Sequence, residues 1–322
     1  MPHAWPLDLL LRGLARCGRH GTVIFAVAIF IGLLFPPAAE AVRPFLAVTV
    51  FGLMTTVLVR VDMVRALEHV RKPALVIVFM VAMLIGTPLL VAGLLVAFDG
   101  LISHDVALAL VLFACAPPLV SASSTCYLMG LDGALSLVLI LLGTAVTPLA
   151  VPAIVALAGF EVDISSLELA GRLALLVGAA AVTARLIRGW MGPERLGAYR
   201  PQIDGMAVVM VVIFAVAAMD GVLWTLLGRP VFTLSLVALA FGMSIGLMIV
   251  IRIAFAVTGV TTARTLAFTG GMRNMGLGIA SMGAAVPHDT WIYFAIVQFP
   301  IYLLPMALQL VWRASDRRRA AP

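Results

Sequence analysis

TLAFTGGMRNMGLGIASMGAAV, residues 265–286, is an apolar, glycine-rich stretch long enough to cross a bilayer, with one arginine, Arg273, near its middle. An ionised guanidinium near a bilayer centre costs several kcal/mol or more unless water or a partner reaches it, so a residue of this kind marks a functional site. Gly270, Gly271 and Gly276 flank Met272-Arg273-Asn274. Glycines around a polar core are expected where a membrane helix is broken and its backbone lines a cavity. The stretch therefore predicts an interrupted helix with a buried site inside the membrane.

The rest of the chain agrees with a membrane setting. Mean hydropathy is +1.15, hydrophobic residues make up 63% and charged residues 11%, which excludes a water-soluble globule of this size. A single lysine, Lys72, against twenty arginines is the codon usage of a GC-rich bacterial gene, so the expected location is a bacterial inner membrane. Cys17, Cys115 and Cys126 have no metal-ligand spacing and indicate no disulfide framework. Ten segments are apolar over roughly 17–25 residues, the length of a span: 22–38, 43–59, 73–98, 106–129, 133–158, 169–187, 205–226, 231–251, 265–286 and 291–312. Pro88 predicts a kink or tilt in the third.

The loops test that count. With a cytoplasmic N-terminus, ten crossings return the C-terminus to the same side. That side then carries Arg12, Arg16, Arg19, Arg60, Arg65, Arg71, Lys72, Arg185, Arg188, Arg195, Arg200, Arg252, Arg264, Arg313, Arg317, Arg318 and Arg319. The other holds only Arg43, Arg172 and Arg229. Positive charge is retained on the cytoplasmic side of membrane proteins, and an odd number of spans would spoil the asymmetry. The net charge of +6 is thus a topological signal and not one for nucleic acid. A cleaved signal peptide ending near Ala39-Glu40-Ala41 is the competing reading of the first span; it would leave nine crossings and break the alternation.

Two stretches show the same layout. ACAPPLVSASSTCYLMGLDGALSLVLILLGTAVTPLAVP starts at Ala114, and TGGMRNMGLGIASMGAAVPHDTWIYFAIVQFPIYLLP starts at Thr269. Each has a Pro- or Gly-rich polar cluster, a turn with an aspartate (Asp132, Asp289), and a long apolar helix with a late proline break at Pro148 or Pro305. They fall at the fourth-to-fifth and ninth-to-tenth span junctions, as two inverted five-helix repeats require (about 22–158 and 169–312, together one transmembrane domain over 1–322). Pro117 and Pro118 remove two backbone donors, and Ser121, Ser123, Ser124 and Thr125 are candidates to satisfy the freed carbonyls. In membrane helices such hydroxyls also serve simply as packing residues.

These stretches resemble the bile acid:sodium symporter family. RTLAFTGGMRNMGLGIA is similar to that family's ninth-helix motif through Arg264, Thr265, Leu266, Gly271, Met272, Asn274 and Leu277. Pro117, Tyr127, Leu128, Ala134, Leu135, Ser136 and Pro148 match its fourth and fifth helices. Bile-arsenite-riboflavin type and auxin-efflux-like carriers share the layout. The resemblance implies an all-α integral membrane protein, with spans one, two, six and seven as a panel beside a core of three to five and eight to ten. The fourth and ninth helices would be unwound and would cross near the midplane. It implies transport of small or amphipathic organic anions by alternating access, with two bound sodium ions.

The family's sodium positions fall on Ala122, Ser123, Ser136, Ile140, Thr269 and Arg273. Its key glutamate becomes Thr269 and its glutamine becomes Arg273, so no carboxylate remains and two positions offer only carbon. An arginine has donors alone and cannot ligate a cation. The reading is a carrier of a small organic anion without conventional sodium coupling, needing no cofactor or metal. Arg273, Asn274, Ser123, Ser124, Thr125, Thr269, Gly270 and Gly271 are its candidate substrate residues, with Arg273 as counter-charge. Asp204 and Asp220, at the ends of the seventh span, are the carboxylates nearest to the membrane interior. A sodium- or proton-coupled symporter of bile-acid-like solutes is the nearest alternative, and a channel is the alternative of another class. No Walker, Rossmann or zinc motif occurs, and His3, His20, His69, His104 and His288 are terminal or in loops, so no enzyme is expected.

Overall fold

The computed structural model describes residues 12–14, 21–60, 73–98, 100–160 and 162–320. Arg16, Arg19, Arg65, Arg71, Lys72, Cys17, His3, His20, His69, Asp99 and Glu161 lie outside those residues, and for Arg313, Arg317, Arg318 and Arg319 only the helical backbone is described. The described chain is helical. In order its elements are α1 (Gly21–Leu34), α2 (Pro36–Val42), α3 (Leu46–Arg60), α4 (Pro73–Val81), α5 (Thr87–Ala97), α6 (His104–Cys115), α7 (Ala122–Leu128), α8 (Gly133–Leu157), α9 (Ser166–Ala198), α10 (Arg200–Ala218), α11 (Val222–Gly228), α12 (Pro230–Ala254), α13 (Val260–Gly271), α14 (Gly276–Met282) and α15 (His288–Ala320).

Seven continuous helical stretches are long and apolar enough to cross a membrane: Pro36–Arg60, Pro73–Ala97, Gly133–Leu157, Ser166–Ala198, Arg200–Gly228, Pro230–Ala254 and His288–Trp312. Three of the ten expected spans are therefore not continuous helices of that length. Two of them, 106–129 and 265–286, are divided into α6/α7 and α13/α14. The third, 22–38, is the shorter α1, because the chain turns at Phe35 (φ −127°, ψ 72°). A residue before proline is pushed out of the helical region, and Pro36 follows. The second crossing thus begins at Pro36 and not near 43, running through a 3₁₀ turn at Arg43–Phe45 into α3.

Local irregularities follow residue chemistry. The expected distortion at Pro88 takes the form of a π-helical turn, Ala82–Gly86, joining α4 to α5. Such turns absorb an extra residue where the regular hydrogen-bond ladder is disturbed. The late breaks expected at Pro148 and Pro305 do not occur: α8 runs unbroken past Pro148 and Pro152, and α15 past Pro300 and Pro305. Membrane helices tolerate an interior proline where neighbours compensate the lost donor.

The helices pack in two groups. α10 lies against α1 and α3, and α9 against α3. In the second group α12 packs on α13 and α15, α15 on α6, and α6 on α5 and α8. The groups meet where α8 follows into α9, and where α14 touches α9 and α3. Large apolar side chains such as Leu89, Leu149, Leu175 and Leu234 stand exposed on the outside, which suits a hydrocarbon solvent. The second group is the denser: α6 from Val106 to Cys115 and α15 from Thr290 to Val297 bury nearly every side chain.

Candidate functional site: two helix breaks paired around Arg273

The interruptions of α6/α7 and α13/α14 meet. Pro118 and Arg273 form an isolated antiparallel bridge. The Leu119 amide donates to the Met272 carbonyl at 2.8 Å, and the Asn274 amide donates to the Pro117 carbonyl at 2.8 Å. Each broken segment thereby satisfies backbone groups of the other, which a lipid-surrounded chain must do internally. The local causes lie in the sequence. Ala116 is extended (ψ 145°) because Pro117 follows it, and Met272 is extended (φ −93°, ψ 107°).

Glycines permit the close approach. A Cβ on Gly271 would lie 2.3 Å from Met248 Cγ and 2.9 Å from the Ser244 carbonyl; on Gly270 it would lie 2.4 Å from Ile251 Cδ1. Both glycines are helical and close the α13–α12 contact, so they serve packing and do not line a cavity as the sequence reading had it. Gly143 of α8 does the same for the other break, where an added Cβ would stand 2.8 Å from Pro118 Cδ.

Arg273 is 1% exposed, the first among the largest fully buried side chains. Its Nη1 donates to the Ala116 carbonyl at 2.9 Å, and Nη2 donates to Thr87 Oγ1 at 3.1 Å. Nε has no partner. Among the described residues no carboxylate pairs with it: Asp220 pairs with Arg43 at 2.7 Å and Asp204 with Arg60 at 3.0 Å. The guanidinium therefore caps a carbonyl orphaned at the end of α6. Thr87, which the sequence reading missed, completes the arrangement. Its hydroxyl lies 2.6 Å from the Met83 carbonyl and 2.9 Å from the Ala114 carbonyl, both acceptors for its proton. Ala114 is four residues before Pro118, so its carbonyl has lost its helical donor. The only signal for Thr87 was a Thr-Pro pair inside an apolar span.

The hydroxyls expected to satisfy those carbonyls are used elsewhere. Ser123 Oγ donates to the Gly133 carbonyl at 2.8 Å, and Thr125 Oγ1 donates to the Ser121 carbonyl at 3.1 Å. Both lie past the break on α7, too far along the chain to turn back to α6. Ser124 is exposed. Ser136 and Thr269 are fully buried and joined, Thr269 Oγ1 donating to Ser136 Oγ at 2.8 Å; Cys126 lies beside them. Ile140 and Ala122 are buried carbon surfaces. The six positions thus divide into a hydroxyl clasp, two apolar plugs, Ser123 on a carbonyl, and a guanidinium.

Asn274 faces a different neighbourhood from Arg273. It is half-buried, and its Oδ1 lies near Gly276, whose α-carbon faces the Phe214 ring from α10. Successive residues of an extended segment project to opposite sides. Arg273 accordingly reaches into the denser group toward α5, while Asn274 stands where the two groups meet. Phe214, the second residue missed in the sequence, also packs edge-on against Phe294 of α15 at 5.8 Å.

In comparisons with known proteins, no family model and no curated sequence matches the chain. The structure itself identifies an all-helical, membrane-embedded protein in which two broken helices pair around one buried arginine.

Proposed function

We propose that the chain is a secondary carrier for a small organic anion, working by alternating access in a bacterial inner membrane, with ten crossings arranged as two inverted repeats and both termini cytoplasmic. One observation carries it: two helix breaks at corresponding places in the two halves pair antiparallel around a guanidinium that has no acidic partner among the described residues. Discontinuous helices placed in this way are the usual construction of a transporter's central site. The division into two packing groups supports rocking of one against the other. The resemblance to the bile acid:sodium symporter family points the same way.

Arg273 acts as a fixed positive charge. It holds the Ala116 carbonyl and Thr87, and its field favours an anion in the crevice beside Asn274, where an open state would admit solute. The direct clasp of Thr269 on Ser136, with carbon at Ile140 and Ala122, leaves little for a sodium ion to coordinate. Flux without sodium follows from that donor set. The test is reconstitution in proteoliposomes with a panel of labelled monocarboxylates, dicarboxylates and sterol carboxylates. Saturable uptake, stimulated by the same anion inside and unchanged when choline replaces sodium, is the expected result. ATP-dependent flux only, or steady single-channel currents, would count decisively against a carrier.

A further inference from the structure

We propose that Arg43, Arg172 and Trp291 form a latch that holds the two helix groups closed at one end of the molecule, built to open without stranding a charge. This rests on the carrier reading above. The three arginines on the charge-poor side, Arg43, Arg172 and Arg229, each pair with a carboxylate: Asp220 at 2.7 Å, Glu168 at 2.5 Å, and Asp289 respectively. The partners are distributed in a telling way. Arg43 and Asp220 both belong to the first group, at the start of the second crossing and just past α10. Arg172 and Glu168 are one turn apart on α9. Arg229 and Asp289 sit at the starts of α12 and α15, both in the second group.

Contacts between the groups at this end use neutral acceptors. The Arg43 guanidinium stacks over the Trp291 ring at 4.2 Å. Trp291 Nε1 donates to the Asp220 carbonyl at 2.9 Å. Arg172 Nη1 donates to the Ser281 carbonyl at 3.3 Å, in the last turn of α14, where a helix presents its negative end. Ser281 is six residues before Pro287, so both contacts fall on the connection from α14 into α15.

The consequence is energetic. Breaking a buried ion pair leaves an uncompensated charge and is strongly unfavourable. Here every guanidinium keeps its carboxylate when the groups part; what is lost is an indole hydrogen bond, a cation–π stack and an arginine–carbonyl bond. Those are weak enough to be remade in each cycle. Asn274, at the meeting of the two groups below the latch, becomes reachable from this end once it opens.

The experiment is labelling of Asn274→Cys in right-side-out vesicles with a membrane-impermeant maleimide, with modification at position 274 read by mass spectrometry. Trp291→Phe keeps an aromatic ring but loses the indole donor, and is expected to speed labelling about fivefold, the value of one ordinary hydrogen bond. Arg172→Gln is expected to speed it similarly, and Arg43→Lys, which retains the Asp220 pair, to do so less. Unchanged rates in both Trp291→Phe and Arg172→Gln overturn the latch, as does parent protein that already labels as fast as the variants. No substrate is needed for this readout. Absence of anion flux would therefore fail the carrier reading separately from the latch.

Discussion

Arg273→Gln separates a functional guanidinium from a structural one. The parent side chain makes two hydrogen bonds, to the Ala116 carbonyl and Thr87 Oγ1, and leaves Nε unpartnered at 1% exposure. Hydrogen bonds to charged groups contribute about 1.5–3 kcal/mol each, so their loss is felt. Against that, removing a buried charge that lacks an acidic partner relieves a desolvation cost of several kcal/mol. The two nearly cancel, and the melting temperature of the purified protein is expected to stay the same or rise. Anion binding responds differently. A charge roughly 6 Å from an anion at an effective dielectric constant of about 20 contributes about 3 kcal/mol, or roughly a hundredfold in affinity. Titration of the best anion from the proteoliposome panel, by thermal shift or calorimetry at constant ionic strength, should show that loss in Arg273→Gln. Arg273→Lys should recover part of it, since the charge remains while the planar fork is lost. Normal anion affinity in a folded Arg273→Gln protein refutes the counter-charge. A variant that binds normally but is much less stable makes Arg273 a clamp for the broken helices and nothing more.

Other outcomes follow from the same geometry. Thr87→Val removes the acceptor for Nη2 and the donor to the Ala114 carbonyl, and should lower stability by about 1–3 kcal/mol, read as a lower melting temperature in detergent. Gly271→Ala places a methyl 2.3 Å from Met248 Cγ and against the Ser244 backbone. It should cost about 1–3 kcal/mol by overpacking, whereas alanine at Gly246, with nothing within 4 Å, should be tolerated in the same assay. Thr269→Ala breaks the clasp on Ser136 and should cost on the order of 1 kcal/mol while leaving flux equally indifferent to sodium. A sodium-dependent rise in flux for the parent protein would mean that cation ligands exist outside the six positions considered.

The membrane class and the places of interruption were legible in the sequence, because both depend on local composition. Long apolar runs can only be helices in lipid, and adjacent prolines or a Gly-Gly-Met-Arg-Asn run cannot continue one without loss. Hence Pro117-Pro118 and Gly270–Asn274 marked the breaks correctly. The same local logic failed at Pro148 and Pro305, where helix continuity depends on neighbours that a linear pattern does not contain. The mid-membrane position of Arg273 and its lack of a carboxylate partner could also be read from the chain, since the acids fall near span ends. What the guanidinium binds could not. Ala116 and Thr87 lie 157 and 186 residues away in sequence, and only the packing of α5 and α6 against α13 brings them within hydrogen-bond reach. Likewise the alternation of an extended segment turns Arg273 inward and leaves Asn274 at the meeting of the two groups. Which side faces which group is set by tertiary packing, because hydrogen-bond partners across broken helices are long-range and carry no periodic signature.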